Sequence, residues 1–190
     1  TKLQSKTFMT GEKGDEIADY SFNYTIKLTG DSVLKSTSFF YYDAGTGNPL
    51  ERATGGSINT DSAQREIHTF KGSLASEDLT KLQSKTFMTG EKGDEIADYS
   101  YNYNLGSSVV RSTTLNFYYE DVNGLARANN AKPNSLLFLS ISYKGQKDPS
   151  AISLPSDDIL NRVSETYFTG SQGDEVADYA YNYKISSSSI

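Results

Sequence analysis

The feature that most constrains the fold of this chain is an exact internal repeat. A stretch of 21 residues occurs twice without a single change, and a diverged third copy follows it. The copies occupy positions 1–21, 80–100 and 164–185. All three share a Gly-Asp-Glu sequence that begins at Gly14, Gly93 and Gly173, which sets spacings of 79 and 80 residues. Equal sequences favour equal local structures, so we expect a chain built from repeated units.

The material between the copies also repeats, but more loosely, as the match between positions 33–43 and 109–121 indicates. The unit is therefore about 80 residues long, and its opening segment occurs once more often than the remainder. The opening segment occupies 1–27, 80–106 and 159–185, and the remainder occupies 28–79 and 107–158. Two divisions follow. The first has modules 1–79 and 80–158 and a partial third repeat with a Ser-rich tail at 159–190; the second has a donor segment 1–27 and modules 28–106 and 107–185.

The apolar residues alternate with polar ones, as in a strand with one buried face. Tyr20, Phe22 and Tyr24 show this period of two, and the other copies of the segment repeat it. Glycine-rich turns separate the alternating stretches, and no window has a helical period. Five or six short strands in each unit predict an all-β fold of tandem small antiparallel β-sandwich modules of about 80 residues, Ig-like or related.

One short segment resembles a known family. Glu16, Ala18 and Tyr20 follow one another at steps of two, and this pattern is similar to the tyrosine corner of immunoglobulin-like sandwiches. Phe22 stands where the second Cys of antibody domains would lie. The same spacing recurs in the other two copies. The resemblance implies that positions 3–10 form strand E and positions 20–27 form strand F.

The composition excludes several classes of function. The 190 residues include no Cys and one His, His68, so Cys-based metal or redox chemistry is excluded and a duplicated His catalyst is not expected. The formal net charge is -6, and a chain without clustered Lys and Arg is a poor ligand for nucleic acid. The apolar runs are far shorter than the roughly 18 residues of a membrane helix. No nucleophile elbow is present. We therefore expect no enzyme, no nucleic-acid partner and no membrane insertion.

The acidic residues near each Gly-Asp-Glu are the candidate metal ligands, because Ca²⁺ prefers clustered oxygen atoms. These residues are Asp15, Glu16, Asp19, Asp94, Glu95, Asp98, Asp174, Glu175 and Asp178. In an extended strand, Asp15 and Asp19 would lie about 13 Å apart and could not share an ion. In a helical turn, the same positions would approach each other. We expect no cofactor, and calcium is the single alternative that these acidic residues allow.

The regularly spaced rings are core residues by default, and those in the terminal copies are the candidate interface. The interface residues are Tyr20, Phe22, Tyr24, Tyr179, Tyr181 and Tyr183. Consecutive rings at 39–42 and 117–119 place some rings outside, where they suit an interface or stacking on sugars. His68 aligns with Ile141 of the second unit, which predicts a packing role for the imidazole.

The unequal count of segments gives the functional hypothesis. One amphipathic opening segment is left over, and such a segment can insert into an equivalent slot of another copy. We therefore expect a secreted or cell-surface structural or adhesive repeat protein, and in its sharpest form a filament subunit that assembles by strand exchange. The alternative function is a calcium- or carbohydrate-binding surface module. The expected partners are further copies of the chain or neighbouring modules of a longer array from which these residues were cut.

Overall fold

A computed structural model describes residues 2–27, 30–120 and 124–184, and in these ranges the chain is all-β. The first unit contains β1 (Ser5–Thr10), β2 (Ile17–Thr25), β3 (Val33–Tyr42), β4 (Glu51–Arg52) and β5 (Gln64–Lys71). The second contains β6 (Leu82–Thr89), β7 (Ile96–Tyr103), β8 (Val110–Glu120), β9 (Gly124–Arg127) and β10 (Leu137–Lys144). The third copy contributes β11 (Arg162–Thr169) and β12 (Val176–Asn182).

The helical segments within the described ranges are single 3₁₀ turns of three residues each. They are Leu79–Lys81, Ala128–Asn130, Pro149–Ala151 and Ile159–Asn161. None of these turns is long or apolar enough to cross a membrane.

All twelve strands belong to one open antiparallel sheet. Ten of them follow the order β1-β2-β3-β5-β6-β7-β8-β10-β11-β12, while β4 pairs with β3 and β9 pairs with β8. The three copies of the opening segment form the equivalent hairpins β1–β2, β6–β7 and β11–β12. The β1–β2 hairpin also pairs with β3, the β6–β7 hairpin with β5 and β8, and the β11–β12 hairpin with β10. Within the described residues, the sheet therefore ends at the outer sides of β1 and β12.

The hairpin turns require glycine at one position. Gly90 has φ +117°, and a Cβ atom on it would lie 2.4 Å from the carbonyl oxygen of Asp94. Only a residue without a Cβ allows this approach. The equivalent Gly11 and Gly170 have φ +114° and +127°. Each hairpin also contains a β-bulge at the same place, for example between Phe87 and Met88 in β6.

One side of the sheet, here called the aromatic face, carries the two largest of the three buried clusters. In the first unit Phe39 and Phe70 are fully buried, and Leu74 from the segment after β5 packs over them. In the second unit Leu115 and Ile141 are fully buried, and Ile152 from the segment after β10 takes the corresponding place. The connecting segments of the chain therefore cover the aromatic face.

The opposite side of the sheet, here called the hydroxyl face, carries two rows of small polar side chains, and the second row continues into Ile67 and Phe40. One row of paired positions crosses seven strands and another crosses six. The rows are Thr7-Ser21-Ser38-Thr69-Ser84-Asn102-Ser112 and Thr86-Ser100-Thr114-Ser142-Ser164-Asn182. Their side chains bond to one another, as in the contacts Ser38 Oγ to Thr69 Oγ1 (3.1 Å) and Thr114 Oγ1 to Ser142 Oγ (2.9 Å).

The expectation of an all-β fold is confirmed, and tandem sandwich modules are not shown. A sandwich needs two sheets whose apolar faces meet, whereas the strands of the described residues form one open sheet. Strands E and F of an immunoglobulin domain lie in different sheets. Here the corresponding strands β1 and β2 pair directly. The division into modules stays a prediction, and the tail at 186–190 lies outside the described residues.

Candidate functional site

The sheet interior holds a repeated ion pair between a β2-type strand and the short strand beyond it. Arg52 in β4 donates from Nε to Asp19 Oδ1 at 2.9 Å. In the second unit, Arg127 donates to Asp98 through Nε (2.8 Å) and Nη2 (2.7 Å). Such two-point pairs have fixed geometry and are stronger than neutral hydrogen bonds. The pairs tie each hairpin to the next part of its unit.

At the β12 end of the sheet, the aspartate equivalent to those of the ion pairs has no arginine partner among the described residues. Asp178 in β12 is the third-copy equivalent of Asp19 and Asp98, and it is exposed. In the part of the chain that the structure describes, no Lys or Arg side chain pairs with it. Among the residues that the structure describes, no strand follows β12 in the sheet order and none brings an arginine to Asp178.

A repeated glutamate joins the second and the third hairpin to the strand before each of them. Glu95 accepts the backbone N–H of Gln64 in β5 at Oε1 (2.9 Å) and that of Gly93 at Oε2 (2.8 Å). Glu175 accepts the N–H of Leu137 in β10 (3.2 Å) and that of Gly173 (2.9 Å). One carboxylate therefore fixes both its own turn and the end of the neighbouring strand.

The first hairpin makes only half of this arrangement. Glu16 accepts the backbone N–H of Gly14 at 2.9 Å, as its equivalents do in their own turns. Its other oxygen has no hydrogen-bond donor among the described residues, and the side chain is exposed. At the two ends of the sheet, Glu16 and Asp178 therefore lack, among the described residues, contacts that their equivalents make in the interior.

The aromatic rings at the β12 edge are also more exposed than their equivalents in the interior of the sheet. Tyr99 of the interior packs against the core of the second unit. Its equivalent Tyr179 stacks on Tyr167 at 4.7 Å between ring centroids but is 49% exposed, and Tyr181 is 54% exposed. Tyr183 is also exposed. These rings lack the neighbour strand that half-buries their counterparts in the interior.

The candidate interface residues of the first copy lie inside the sheet. Tyr20 stacks on Phe8 at 4.4 Å and packs against the core around Phe39. Phe22 and Tyr24 are half-buried on β2, between β1 and β3. The structure therefore places the two sets differently, because β2 has a strand on each side and β12 has one.

The candidate metal ligands are divided among structural roles. Asp19 and Asp98 bind arginine, and Glu16, Glu95 and Glu175 bind backbone N–H groups. Asp15, Asp94 and Asp174 lie in the turns, where their backbone N–H groups close a bond to the carbonyl three residues earlier. Within the described ranges no group of three or more His, Asp or Glu residues is arranged to hold a metal ion. Calcium binding stays a prediction.

Sequence reasoning missed the arginines and two buried tyrosines. Tyr42 donates its hydroxyl to the carbonyl of Ala18 (2.6 Å), and Tyr118 does the same to Ala97 (2.7 Å). Burial raises the pKa of Tyr42 to about 12, with the charges of Asp19 and Glu95 adding to the effect. The arginines do have a sequence signal: each stands in a Leu-x-Arg-Ala motif, at 50–53 and 125–128.

The single histidine, His68, is hydrogen-bonded to two glutamates. The His68 ring lies between Glu66 (2.7 Å from Nε2) and Glu77 (3.0 Å from Nδ1), so the side chain is packed and hydrogen-bonded.

A groove of about 510 Å³ lies between the β6–β7 hairpin and the segments around Asn129 and Pro149. The rings of the aromatic runs are mostly buried or half-buried, with Tyr119 exposed. Carbohydrate binding stays a prediction.

Comparison with protein-family models, with curated protein sequences and with solved structures finds no match for this chain. Any assignment of function therefore rests on the residues and contacts described above.

Proposed function

We propose that this chain is a non-enzymatic structural repeat protein of the cell surface, whose sheet is extended by strands from other copies. The observation that carries the proposal is the β12 edge, where Asp178, Tyr179 and Tyr181 stand without the strand that covers their equivalents. The single histidine, packed between two glutamates, supports a role without catalysis. The secreted location belongs to the same proposal and draws on the tandem repeat architecture.

The partner of β12 is a strand equivalent to β3 or β8, here called a β3-type strand, because β12 is equivalent to β2 and β7, here called β2-type strands. Within the sheet, the far side of each β2-type strand pairs with a β3-type strand, in β2–β3 and again in β7–β8. Direct addition of β1 from another copy would form a pairing that the sheet order does not contain. A β3-type strand becomes accessible only when the hairpin that covers it moves away.

Exchange of a hairpin satisfies this requirement. The β11–β12 hairpin of one copy takes the place of β1–β2 on β3 of the next copy. Asp178 then binds Arg52, and Tyr179 meets Phe39, as Asp19 and Tyr20 do within one chain. The contacts are of the same kind in both arrangements, so the exchange is open-ended and generates a filament.

The full-length chain tests the proposal by sedimentation and light scattering over a range of concentrations, after incubation under mildly destabilising conditions that allow exchange. We expect species larger than 20.9 kDa whose population rises with concentration. Asp178→Arg should reduce them strongly, because it places two cations together in the exchanged pair. Asp174→Arg changes the charge equally in a turn and should leave assembly intact.

Weakening the first hairpin should act in the opposite direction. Asp19→Ala removes the partner of Arg52 within one chain and favours docking of Asp178 from another. A chain that stays monomeric at every concentration, with or without Asp19→Ala, would show the proposal to be wrong. So would assemblies that respond equally to Asp178→Arg and Asp174→Arg.

A further inference from the structure

In the described ranges no strand covers the outer side of β1, whereas the identical side of β6 is covered by β5. Positions 1–21 and 80–100 are identical in sequence, so β1 and β6 present the same side chains. β6 is covered by β5, with Ile67 opposite Thr86 and His68 opposite Lys85. β1 lies at the end of the sheet order, with β2 as its neighbour.

The contacts that hold β5 on β6 are known from the structure. Glu95 accepts the backbone N–H of Gln64, and Arg65 donates from Nη1 to the carbonyl oxygen of Gly90 at 2.6 Å. The carboxylate contact recurs where β10 meets β11, through Glu175 and Leu137. A strand that docks beside this type of hairpin is thus held by its backbone N–H, with an arginine as an additional donor.

The same groups are present and accessible at β1. Glu16 and Gly11 are the equivalents of Glu95 and Gly90, and both are exposed. Lys6 and Thr7 are exposed in β1, whereas the identical Lys85 and Thr86 are half-buried beside β5. The difference in burial between identical residues measures what the missing strand would cover.

We propose that the outer edge of β1 is a binding site for an extended segment of another polypeptide that has the pattern of β5. The segment lies antiparallel to β1, donates a backbone N–H to Glu16 and, where it carries arginine, donates to the carbonyl of Gly11. Binding at this site displaces no strand, whereas the proposed exchange removes the β1–β2 hairpin from β3 of the accepting copy, so peptide binding to the monomeric chain tests this site separately from the proposed function. Strand addition of this kind gains main-chain hydrogen bonds and takes specificity from alternate side chains.

The probe is a fluorescent synthetic peptide with the sequence of positions 62–72, added to the full-length chain and followed by fluorescence anisotropy. We expect saturable binding that a peptide of the same composition in scrambled order does not show. Glu16→Gln should weaken binding by about tenfold, since a charge-assisted hydrogen bond becomes a neutral one.

The repeat supplies a matched control. Glu95→Gln changes the same residue in an identical segment whose edge is already occupied, so peptide affinity should not change. Binding that is absent, that the scrambled peptide reproduces, or that Glu95→Gln weakens as much as Glu16→Gln would overturn the proposal.

The register of the bound peptide gives a second test that does not depend on affinity. The chain has no cysteine, so Thr7→Cys introduces a single thiol on the outer strand. In the β5–β6 register, position 67 lies opposite the equivalent Thr86 and position 68 points to the other face. In a glutathione redox buffer, a peptide with Ile67→Cys should form the disulfide and one with His68→Cys should not. Equal yields, or none, would contradict the proposed register and the site.

Discussion

At the scale of single residues, the two arginine pairs are chemically equal but differ in environment. The Arg127 side chain is 6% exposed, and it also donates to the carbonyl oxygens of Pro149 and Ile152 at 2.8 Å. The Arg52 side chain is 24% exposed and lies 4.4 Å from the centre of the Phe39 ring. Removing either arginine leaves an aspartate without its partner, Asp98 at 18% exposed and Asp19 at 9%, and removing Arg127 also leaves two carbonyl groups without a donor.

Arg127→Ala should therefore lower the free energy of unfolding by about 3–5 kcal/mol, because Asp98 and two carbonyl groups lose their donor. Arg52→Ala should cost less, about 1.5–3 kcal/mol, because its hydrogen bonds go to Asp19 alone. Urea unfolding at neutral pH measures both values. A larger loss for Arg52→Ala would show that burial of the remaining aspartate, and not the number of hydrogen bonds lost, governs the strength of these pairs.

At the scale of elements, the sequence predicted strands better than it predicted their arrangement. The alternation at 137–143 and the β-branched, aromatic stretch at 33–42 correspond to β10 and β3. The short strands β4 and β9 were missed, because two to four residues carry no measurable period. The tyrosine alternation identifies a buried face, but it does not say whether another sheet or the chain's own loops cover that face.

The hairpin turn allows a comparison of two glycines in one element. Gly93→Ala should cost about 1–2 kcal/mol, because φ is +89° but a Cβ atom meets open space. Gly90→Ala should cost clearly more, since its Cβ atom would also overlap the carbonyl of Asp94. Thermal unfolding of the two variants gives the order. Equal melting temperatures would mean that the turn relaxes around the added methyl group.

At the scale of the whole molecule, identical segments occupy different places in one sheet. β2 lies one strand from the end of the sheet, whereas β7 lies in its interior. Sequence analysis could not predict which copy of a candidate residue has a neighbouring strand, because that depends on where its segment lies in the sheet. Glu16 and Glu95 are indistinguishable by sequence, and only the sheet order shows that one has a partner strand and the other does not.

Hydrogen exchange can measure this difference directly. The amide protons at 17–21 and 96–100 have the same intrinsic exchange rates, because their sequences and near neighbours are identical. We expect exchange from β7 to be slower by about tenfold or more, since opening an interior hairpin breaks pairing on both of its sides. Residue-resolved NMR separates the two segments. Equal protection would mean that the sheet opens only as a single cooperative unit.

The β-bulges set the geometry of any longer array. They recur at equivalent positions, between Phe8 and Met9, Phe87 and Met88, and Tyr167 and Phe168. A bulge bends its strand and increases the local twist. Each added unit would therefore apply the same rotation and translation as the unit before it, and repetition of one such operation generates a screw axis. An array extended from this sheet would wind with constant pitch, with the aromatic face always on the same side of the ribbon.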